Sequence, residues 1–249
     1  MAPDPIGGLM SREIPYEEQT LDHPNPIARY AHQKRYLNSL QLVDGLLPQG
    51  GIILDFGAGQ GELLHRLASR RPDARLLAFE PFMTIKYPEV SACDSMKMVA
   101  DRSIDVLCAF ETLEHISDQQ ITEFMDQSIR VCKPGARIVV SVPIMQGATL
   151  PVKQAVRSIL FRRYSDYSLG EIARGVLGLR VDRAKDILLS HKGFDHRVLL
   201  GLLLTRLRLH ETIHSPFRSL PWWSNSQAFF VFSTAPRQTN DVMKVDICV

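Results

Sequence analysis

Glycines and a carboxylate of this chain are spaced so that they could bind a nucleoside. The loop Gly57-Ala58-Gly59-Gln60-Gly61 follows an apolar run that ends at Phe56, and Glu80 follows the next apolar run. Glycine lets a chain turn sharply and lets a ligand approach the backbone without meeting a Cβ. A carboxylate at a strand end can accept hydrogen bonds from ribose hydroxyls, roughly 1.5–3 kcal/mol each. The pattern therefore predicts a nucleoside-binding site.

Histidine is the obvious candidate for proton transfer, and the chain has eight. His115 follows the end of a later predicted strand, and His191 opens the segment His191-Lys-Gly-Phe-Asp-His196. Either could act as a general base beside a bound acceptor, so both are catalytic candidates. The structural alternatives remain open: Glu114 and His115 could brace their loop, and His191 could stabilise its own. His196 is expected to start a helix capped by Asp195.

Two other site classes fit the sequence poorly. A dinucleotide loop follows the pattern G-x-G-x-x-G, and here Glu62 stands where the last glycine or alanine would fall. His210 and His214 have ligand-like spacing, but on a strand their side chains would not converge, and no third ligand is near. We therefore expect neither a dinucleotide nor a bound metal.

Apolar runs and helical periodicity alternate along the first half of the chain. This alternation predicts parallel βαβ units with helices on both faces of a sheet, whose ligands bind at the carboxyl ends of the strands. The pattern predicts strands over 51–56, 76–79, 104–110 and 137–142, helices over 27–47, 62–70 and 121–132, and then helices over 151–164, 169–179 and 195–204 with strands over 209–213 and 227–233.

Composition sets limits on the partners. The 249 residues are 45% hydrophobic with a formal net charge of +2. This is ordinary globular composition without the basic excess typical of nucleic-acid binding, so no nucleic-acid partner is expected. The N-terminus shows no signal peptide, and the cysteines form no CxxC pair. We expect a cytoplasmic protein with reduced thiols.

Several motifs in order resemble the class I S-adenosylmethionine-dependent methyltransferases of the small-molecule and glycan branch, similar to the type 11 and type 12 groups. Asp55-Phe-Gly-Ala-Gly-Gln-Gly matches the glycine motif, and Glu80 matches the ribose-binding acid. Asp94 matches the adenine-contacting acid, although Cys93 replaces the usual glycine. Phe110-Glu-Thr-Leu-Glu-His-Ile and Lys133-Pro-Gly-Ala match the segments after the fourth strand and before the fifth.

The resemblance implies a doubly wound, Rossmann-like, mostly parallel seven-stranded sheet with an antiparallel C-terminal strand pair and a helical lid insertion. The cofactor implied is S-adenosylmethionine. His32 and Arg35, in the helix before the first strand, could reach its carboxylate. The implied cofactor-binding residues are Asp55, Gly57, Ala58, Gly59, Gly61, Glu80, Pro81, Asp94, Ser95, Phe110 and Glu111, together with His32 and Arg35.

The predicted domain organisation places the acceptor site in an insertion. An irregular arm (1–26) precedes a methyltransferase domain formed by 27–146 and 193–236; 147–192 is the lid, and 237–249 is a tail. The lid carries a basic set that could contact an anionic acceptor, touch a membrane surface as a peripheral site, or form a solvated helix face. This set comprises Lys153, Arg157, Arg162, Arg163 and Arg174.

The segments 191–196 and 215–227 resemble bacterial methyltransferases of surface-polysaccharide synthesis. That resemblance implies O-methylation of a sugar, polysaccharide or lipid-linked precursor. Phe217, Trp222 and Trp223 could then form a sugar-stacking wall of the acceptor site, or instead pack the strand pair onto the sheet. The alternative function is a non-catalytic, cofactor-binding partner subunit with the same fold.

Overall fold

A computed structural model of the chain describes residues 26–161, 166–187 and 190–234. Its helices and strands alternate as the sequence predicts. The predicted tail, and all of the predicted arm except residue 26, lie outside the described residues. The helices are α1 (Pro26–Leu46), α2 (Glu62–Arg70), α3 (Asp118–Val131), α4 (Thr149–Phe161), α5 (Leu169–Val176) and α6 (His196–Leu203). The strands are β1 (Ile52–Phe56), β2 (Arg75–Phe79), β3 (Val90–Cys93), β4 (Ile104–Phe110), β5 (Cys132–Pro143), β6 (Arg208–Ser215) and β7 (Gln227–Ser233).

The strands form one seven-stranded sheet in the order β3-β2-β1-β4-β5-β7-β6. Strands β1 to β5 pair in parallel, whereas β7 is antiparallel to both β5 and β6. The doubly wound sheet with an antiparallel C-terminal pair is therefore confirmed. Because β1 lies between β2 and β4, the strand order reverses there, and a crevice opens beyond the carboxyl ends of these strands.

Alternation of side chains along the central strands produces a core on each face of the sheet. Leu54, Leu107 and Ile138 lie in one buried cluster, which includes Phe124 of α3. Their neighbours along the strands, such as Ile53 and Val106, lie in a second cluster with residues of α1 and α2. The central strands are thus buried on both faces, which explains their nearly continuous apolar sequences.

The structure refines the predicted elements in two places. Strand β3 was not recognised in the sequence pattern, because it is short and its middle residues, Ser91 and Ala92, are exposed. Strand β5 begins at Cys132, five residues before the predicted start at Arg137. Cys132 pairs with Ile104 of β4, and Arg137 pairs with Val106, so the residues of β5 between these two pairs bulge out of the ladder. The predicted turn thus lies inside the bounds of β5.

The helix cap predicted before α6 is confirmed. Asp195 is its N-cap residue, and its Oδ1 accepts a hydrogen bond from the Arg197 amide at 3.0 Å. Within the described residues, none of the helices is both long and apolar enough to cross a membrane.

Candidate active site

A cavity of about 960 Å³ lies at the carboxyl ends of the central strands. Residues from α1, the loops after β1, β2 and β4, and the 3₁₀ turn after β3 form its walls. The predicted site residues that line it are Arg35, Asp55, Gly57, Ala58, Gly59, Glu80, Pro81, Ser95, Phe110, Glu111, His115 and His191.

The glycine loop passes from β1 to α2 in left-handed backbone conformations. Gly57 has φ of 80° and Gly59 has φ of 56°. A Cβ on Gly57 would lie 2.4 Å from the Thr112 Oγ1. A Cβ on Gly59 would meet no protein atom within 4 Å, because that residue faces the open cavity. Gly57 is therefore required by the packing of the protein, whereas Gly59 leaves room for a ligand near the backbone.

The Glu80 carboxylate is held in the cavity wall by two backbone amides. Its Oε2 accepts a hydrogen bond from the Gly59 amide at 2.9 Å, and its Oε1 accepts one from the Phe82 amide at 2.8 Å. A carboxylate oxygen has more than one acceptor site. Both oxygens can therefore accept a further hydrogen bond from a ligand in the cavity.

Asp55 lies at the base of the same wall and is 4% exposed. Burial raises the pKa of its carboxyl to about 7, Glu80 contributes in the same direction, and a hydrogen bond from the Cys108 thiol acts against both. The group thus titrates near neutral pH. It can accept a hydrogen bond from a cationic ligand group or carry a proton itself.

Arg35 is occupied by an ion pair in the wall above β4. Its Nη1 donates to the Glu111 Oε2 at 2.9 Å, and both side chains are mostly buried. The other Glu111 oxygen accepts hydrogen bonds from Gln227 and, at 3.3 Å, from the Ser141 hydroxyl. Neither Ser141 nor Gln227 was identified from the sequence, because nothing local in β5 or β7 signals a contact with Glu111.

Some predicted cofactor residues lie away from the cavity wall. Asp94 is exposed and is not among the lining residues, although Ser95 beside it is. Gly61 is buried at the N-terminus of α2 with φ of 90° and does not line the cavity. His32 lies in α1, but its side chain is outside the described residues.

In the wall of the same cavity, the structure brings His115 and His191 together. Their Nε2 atoms are 3.0 Å apart. The Glu114 Oε1 lies 4.0 Å from the His115 Nε2 and 3.9 Å from the His191 Nε2. The sequence predicts no metal site, yet these three side chains are the one group of metal-ligand types that converges within the part of the chain the structure describes.

The environment of this cluster disfavours charge. Burial, and then the neighbouring His115, lower the pKa of His191 to about 3. The Glu114 side chain is fully buried, and burial, and then the nearby Glu111, raise its carboxyl pKa well above the usual value. His191 is therefore neutral at pH 7, and burial favours the neutral form of Glu114.

The protein also fixes the His115 tautomer. Its Nδ1 lies 3.0 Å from the Ile187 carbonyl oxygen, which can only accept a hydrogen bond. The neutral ring therefore carries its proton on Nδ1 and presents a lone pair at Nε2. In the 3.0 Å contact, His191 is then the donor through its own Nε2, which leaves the His191 Nδ1 as an acceptor.

The structure describes the side chains of two members of the lid's basic set, Lys153, which is mostly buried, and Arg174, which is exposed. The Lys153 Nζ donates to the carbonyl oxygens of Ile144 at 2.6 Å and Ser226 at 3.2 Å, and burial lowers its pKa to about 8. Arg174 donates to the Arg180 carbonyl at 3.0 Å. The side chains of residues 157, 162 and 163 lie outside the described residues. Lys153 thus anchors α4 to the sheet, a role that none of the three alternatives for the basic set includes.

The predicted aromatic wall is also absent from the cavity. Phe217 and Trp223 are half exposed, Trp222 packs on Arg197, and none of these aromatic side chains lines the cavity. Their loop is held by the buried Asn225, which accepts a hydrogen bond from the Phe217 amide at 2.8 Å and donates to nearby carbonyls. The packing alternative therefore describes this segment.

Comparison with known proteins gives evidence on the family that is independent of the cavity geometry. A family model described as a methyltransferase domain matches residues 29–171. A search of curated proteins finds no significant match.

Solved structures share the fold. The PH0226 protein from Pyrococcus horikoshii OT3 superposes with a TM-score of 0.55 at 10% identity, covering 89% of this chain and 96% of that one. Geranyl diphosphate C-methyltransferase from Streptomyces coelicolor A3(2) gives 0.51 at 11% identity, with coverage of 84% and 81%. A Haloferax volcanii protein solved with the Trm112 methyltransferase activator gives 0.51 at 12% identity, with coverage of 82% and 92%. At these identities, the similarity establishes the fold alone.

Proposed function

The chain belongs to the methyltransferase domain family, and on that premise we propose that it methylates a hydroxyl group of a small-molecule acceptor. Its fold is that of the class I S-adenosylmethionine-dependent methyltransferases, and S-adenosylmethionine is the cofactor of this group. One observation carries the proposal: a single cavity is lined both by the glycine loop and Glu80, here called the cofactor end, and by His115 and His191, here called the acceptor end.

The residues at the first end fit the cofactor. The open space over Gly59 would receive the methionine part, because no Cβ fills it. The amides of Gly59 and Phe82 hold the Glu80 carboxylate toward the cavity, where it would bind the ribose hydroxyls. Asp55, deep in the wall, would accept a hydrogen bond from the cofactor amino group. When bound, the cofactor supplies an electrophilic methyl group, so placing the acceptor in line is the main task of the protein.

The residues at the second end can accept the proton that a hydroxyl must lose. In this tautomer the His191 Nδ1 carries a lone pair that can accept a proton, and the His191 Nε2 donates to the His115 Nε2. His115 in turn donates through Nδ1 to the Ile187 carbonyl, which fixes the direction of the chain of hydrogen bonds. We assign His191 as the proton acceptor and His115 as its positioning residue. Because burial lowers the pKa of His191 to about 3, the proton would move to it as the methyl group is transferred, when the acceptor oxygen becomes strongly acidic.

The described lining favours an uncharged polar acceptor over an anionic one. Its lysines and arginines are Arg35, which is paired with Glu111, and Lys97, which lies in the 3₁₀ turn after β3. Glu123 and Gln120 of α3 also line the cavity and offer further polar groups. A sugar hydroxyl fits this chemistry, so methylation of a sugar or sugar-linked precursor stays within the proposal. The support is the pair of histidines together with the polar side chains of Gln120 and Glu123, since the aromatic loop lies elsewhere.

Measurements on the purified protein separate the proposed enzyme from the alternative, a cofactor-binding subunit without turnover. Calorimetry is expected to show binding of S-adenosylmethionine, and labelled cofactor is expected to transfer its methyl group to a component of a neutral small-molecule extract. His191→Gln should lower turnover far more than cofactor affinity. His210→Gln, on the exposed part of β6, is the matched control and should change neither. Binding without transfer to any extract would favour the subunit, and absence of binding would refute both.

A further inference from the structure

The cluster of Glu114, His115 and His191 has the geometry of a metal site that lacks only its ion. One ligand atom from each side chain lies within 4.8 Å of the other two. A tetrahedral ion with bonds of about 2.0–2.1 Å separates its ligand atoms by about 3.3 Å. The two Nε2 atoms are 3.0 Å apart, and the Glu114 Oε1 is 3.9 Å from the nearer one. Small rotations of the three side chains would surround one ion.

The carboxyl group of Glu114 provides a second, independent observation. Its side chain is fully buried, and neither oxygen has a hydrogen-bond partner among the described residues. An unpaired buried polar group costs about 1–3 kcal/mol. Neither nearby cation is hydrogen-bonded to the carboxyl group: Arg35 is paired with Glu111, and Arg183 donates through Nη2 to the Glu114 backbone carbonyl. A cation between Glu114 and the two imidazoles would satisfy this carboxylate.

The surroundings of His115 are those of a metal ligand. Its Nδ1 donates to the Ile187 carbonyl, which fixes the ring and directs the Nε2 lone pair at the cluster. Ligating histidines almost always have such an outer partner on the second ring nitrogen. His191 can present its Nε2 lone pair in the same way once its proton moves to Nδ1.

From these contacts we infer that Glu114, His115 and His191 bind one divalent transition-metal ion, of the Zn²⁺ or Fe²⁺ type. Two imidazoles and one carboxylate favour such an ion over Mg²⁺ or Ca²⁺, which prefer oxygen ligands. Both histidines line the cavity, so the remaining coordination positions face the acceptor. The inference rests on the proposed function and deepens it. An ion here would polarise the acceptor hydroxyl and so make its proton easier to lose, a role that the proposal without a metal gives to His191.

Metal binding can be measured without any acceptor. The full-length protein is treated with a chelator and titrated with Co²⁺, whose visible spectrum reports nitrogen and oxygen ligation, and in parallel with Zn²⁺ and Mg²⁺ by calorimetry. We expect one Co²⁺ or Zn²⁺ per chain and much weaker binding of Mg²⁺. Glu114→Gln, His115→Asn and His191→Asn should each weaken Co²⁺ binding more than about 100-fold, the upper end of the loss when only an outer partner is removed. His210→Asn should bind as the unmodified protein does.

Cofactor affinity, measured on the same metal-free samples, shows whether each variant is folded and keeps the two proposals distinct. Failure of the unmodified protein to bind Co²⁺ stoichiometrically, or binding that persists in all three cluster variants, overturns the metal site and leaves the methyl-transfer proposal standing. Co²⁺ binding without cofactor binding would support the metal site and refute the methyl-transfer proposal. If the Glu114→Gln variant does not fold, the spectra of the two histidine variants decide the question.

Discussion

Replacing Glu80 with glutamine tests the cofactor end of the cavity. The carboxylate accepts hydrogen bonds from the amides of Gly59 and Phe82, one on each oxygen. A glutamine has only one acceptor oxygen, so one of these amides loses its partner. The substitution also removes the negative charge that would strengthen hydrogen bonds from the ribose. A bond to a charged group contributes about 1.5–3 kcal/mol, so losing one weakens binding roughly 10- to 150-fold.

Calorimetry with two ligands separates the direct contact from a shift of the loop. S-adenosylhomocysteine and its 2′-deoxy analogue differ by one ribose hydroxyl. The unmodified protein should prefer the ribose form, whereas Glu80→Gln should bind both weakly and nearly equally. Glu211→Gln provides the control, because Glu211 is an exposed residue of β6 that pairs with Arg218. Equal affinity of Glu80→Gln and the unmodified protein, or no preference for ribose in the latter, would refute the role of Glu80.

Three further predictions concern residues that shape the site or the fold. Gly57→Ala should lower the free energy of unfolding by about 2 kcal/mol or more, because the new Cβ would meet Thr112 and the backbone there is left-handed. Gly50→Ala is the control, since Gly50 has a similar φ of 65° but no atom within 4 Å of the added Cβ, and it should lower the free energy of unfolding by less. Equal losses in the two variants would exclude the steric contact with Thr112 as the cause. Asn225→Ala should cost about 2–3 kcal/mol, since it leaves backbone groups of the loop before β7 without partners; unchanged urea unfolding would contradict this. His196 is buried, and burial lowers its pKa to about 4 from 6.5. The unfolded chain therefore binds a proton more readily, and stability falls as pH drops from about 6.5 toward 4, by up to about 3 kcal/mol. The denaturation midpoint of His196→Leu should depend less on pH over this window than that of the unmodified protein. If the two midpoints change with pH in parallel, His196 does not contribute to the pH dependence of stability.

The fold and the cofactor end of the site were predictable because their signals are local. Sharp turns require glycine at Gly57 and Gly59, and buried parallel strands require apolar runs such as that before Asp55. Glu80 stands at a strand end, and parallel strands align their carboxyl ends at one edge. Strand β3 escaped prediction because its middle residues are exposed and it lacks an apolar run.

The contacts of the lid and of the aromatic loop could not be predicted to the same depth, because they join distant parts of the chain. The sequence pattern places Lys153 on a basic helix face. In the structure its Nζ donates to the carbonyls of Ile144, just after β5, and Ser226, just before β7. The sequence allows Trp222 and Trp223 either to form a wall of the acceptor site or to pack the strand pair onto the sheet. Only the position of their loop, outside the cavity, distinguishes these two roles.

The sequence by itself determined the central strands of the sheet, the glycine turn and the carboxylate in the cavity wall, since each follows from backbone geometry within a few residues. Only the tertiary structure decided that His191 meets His115 across 76 positions of sequence, and that Glu114 is buried beside them without a hydrogen-bond partner. The physical reason is that burial and the directions of lone pairs depend on which segments pack together, and that packing is settled by the whole core and not by any local pattern.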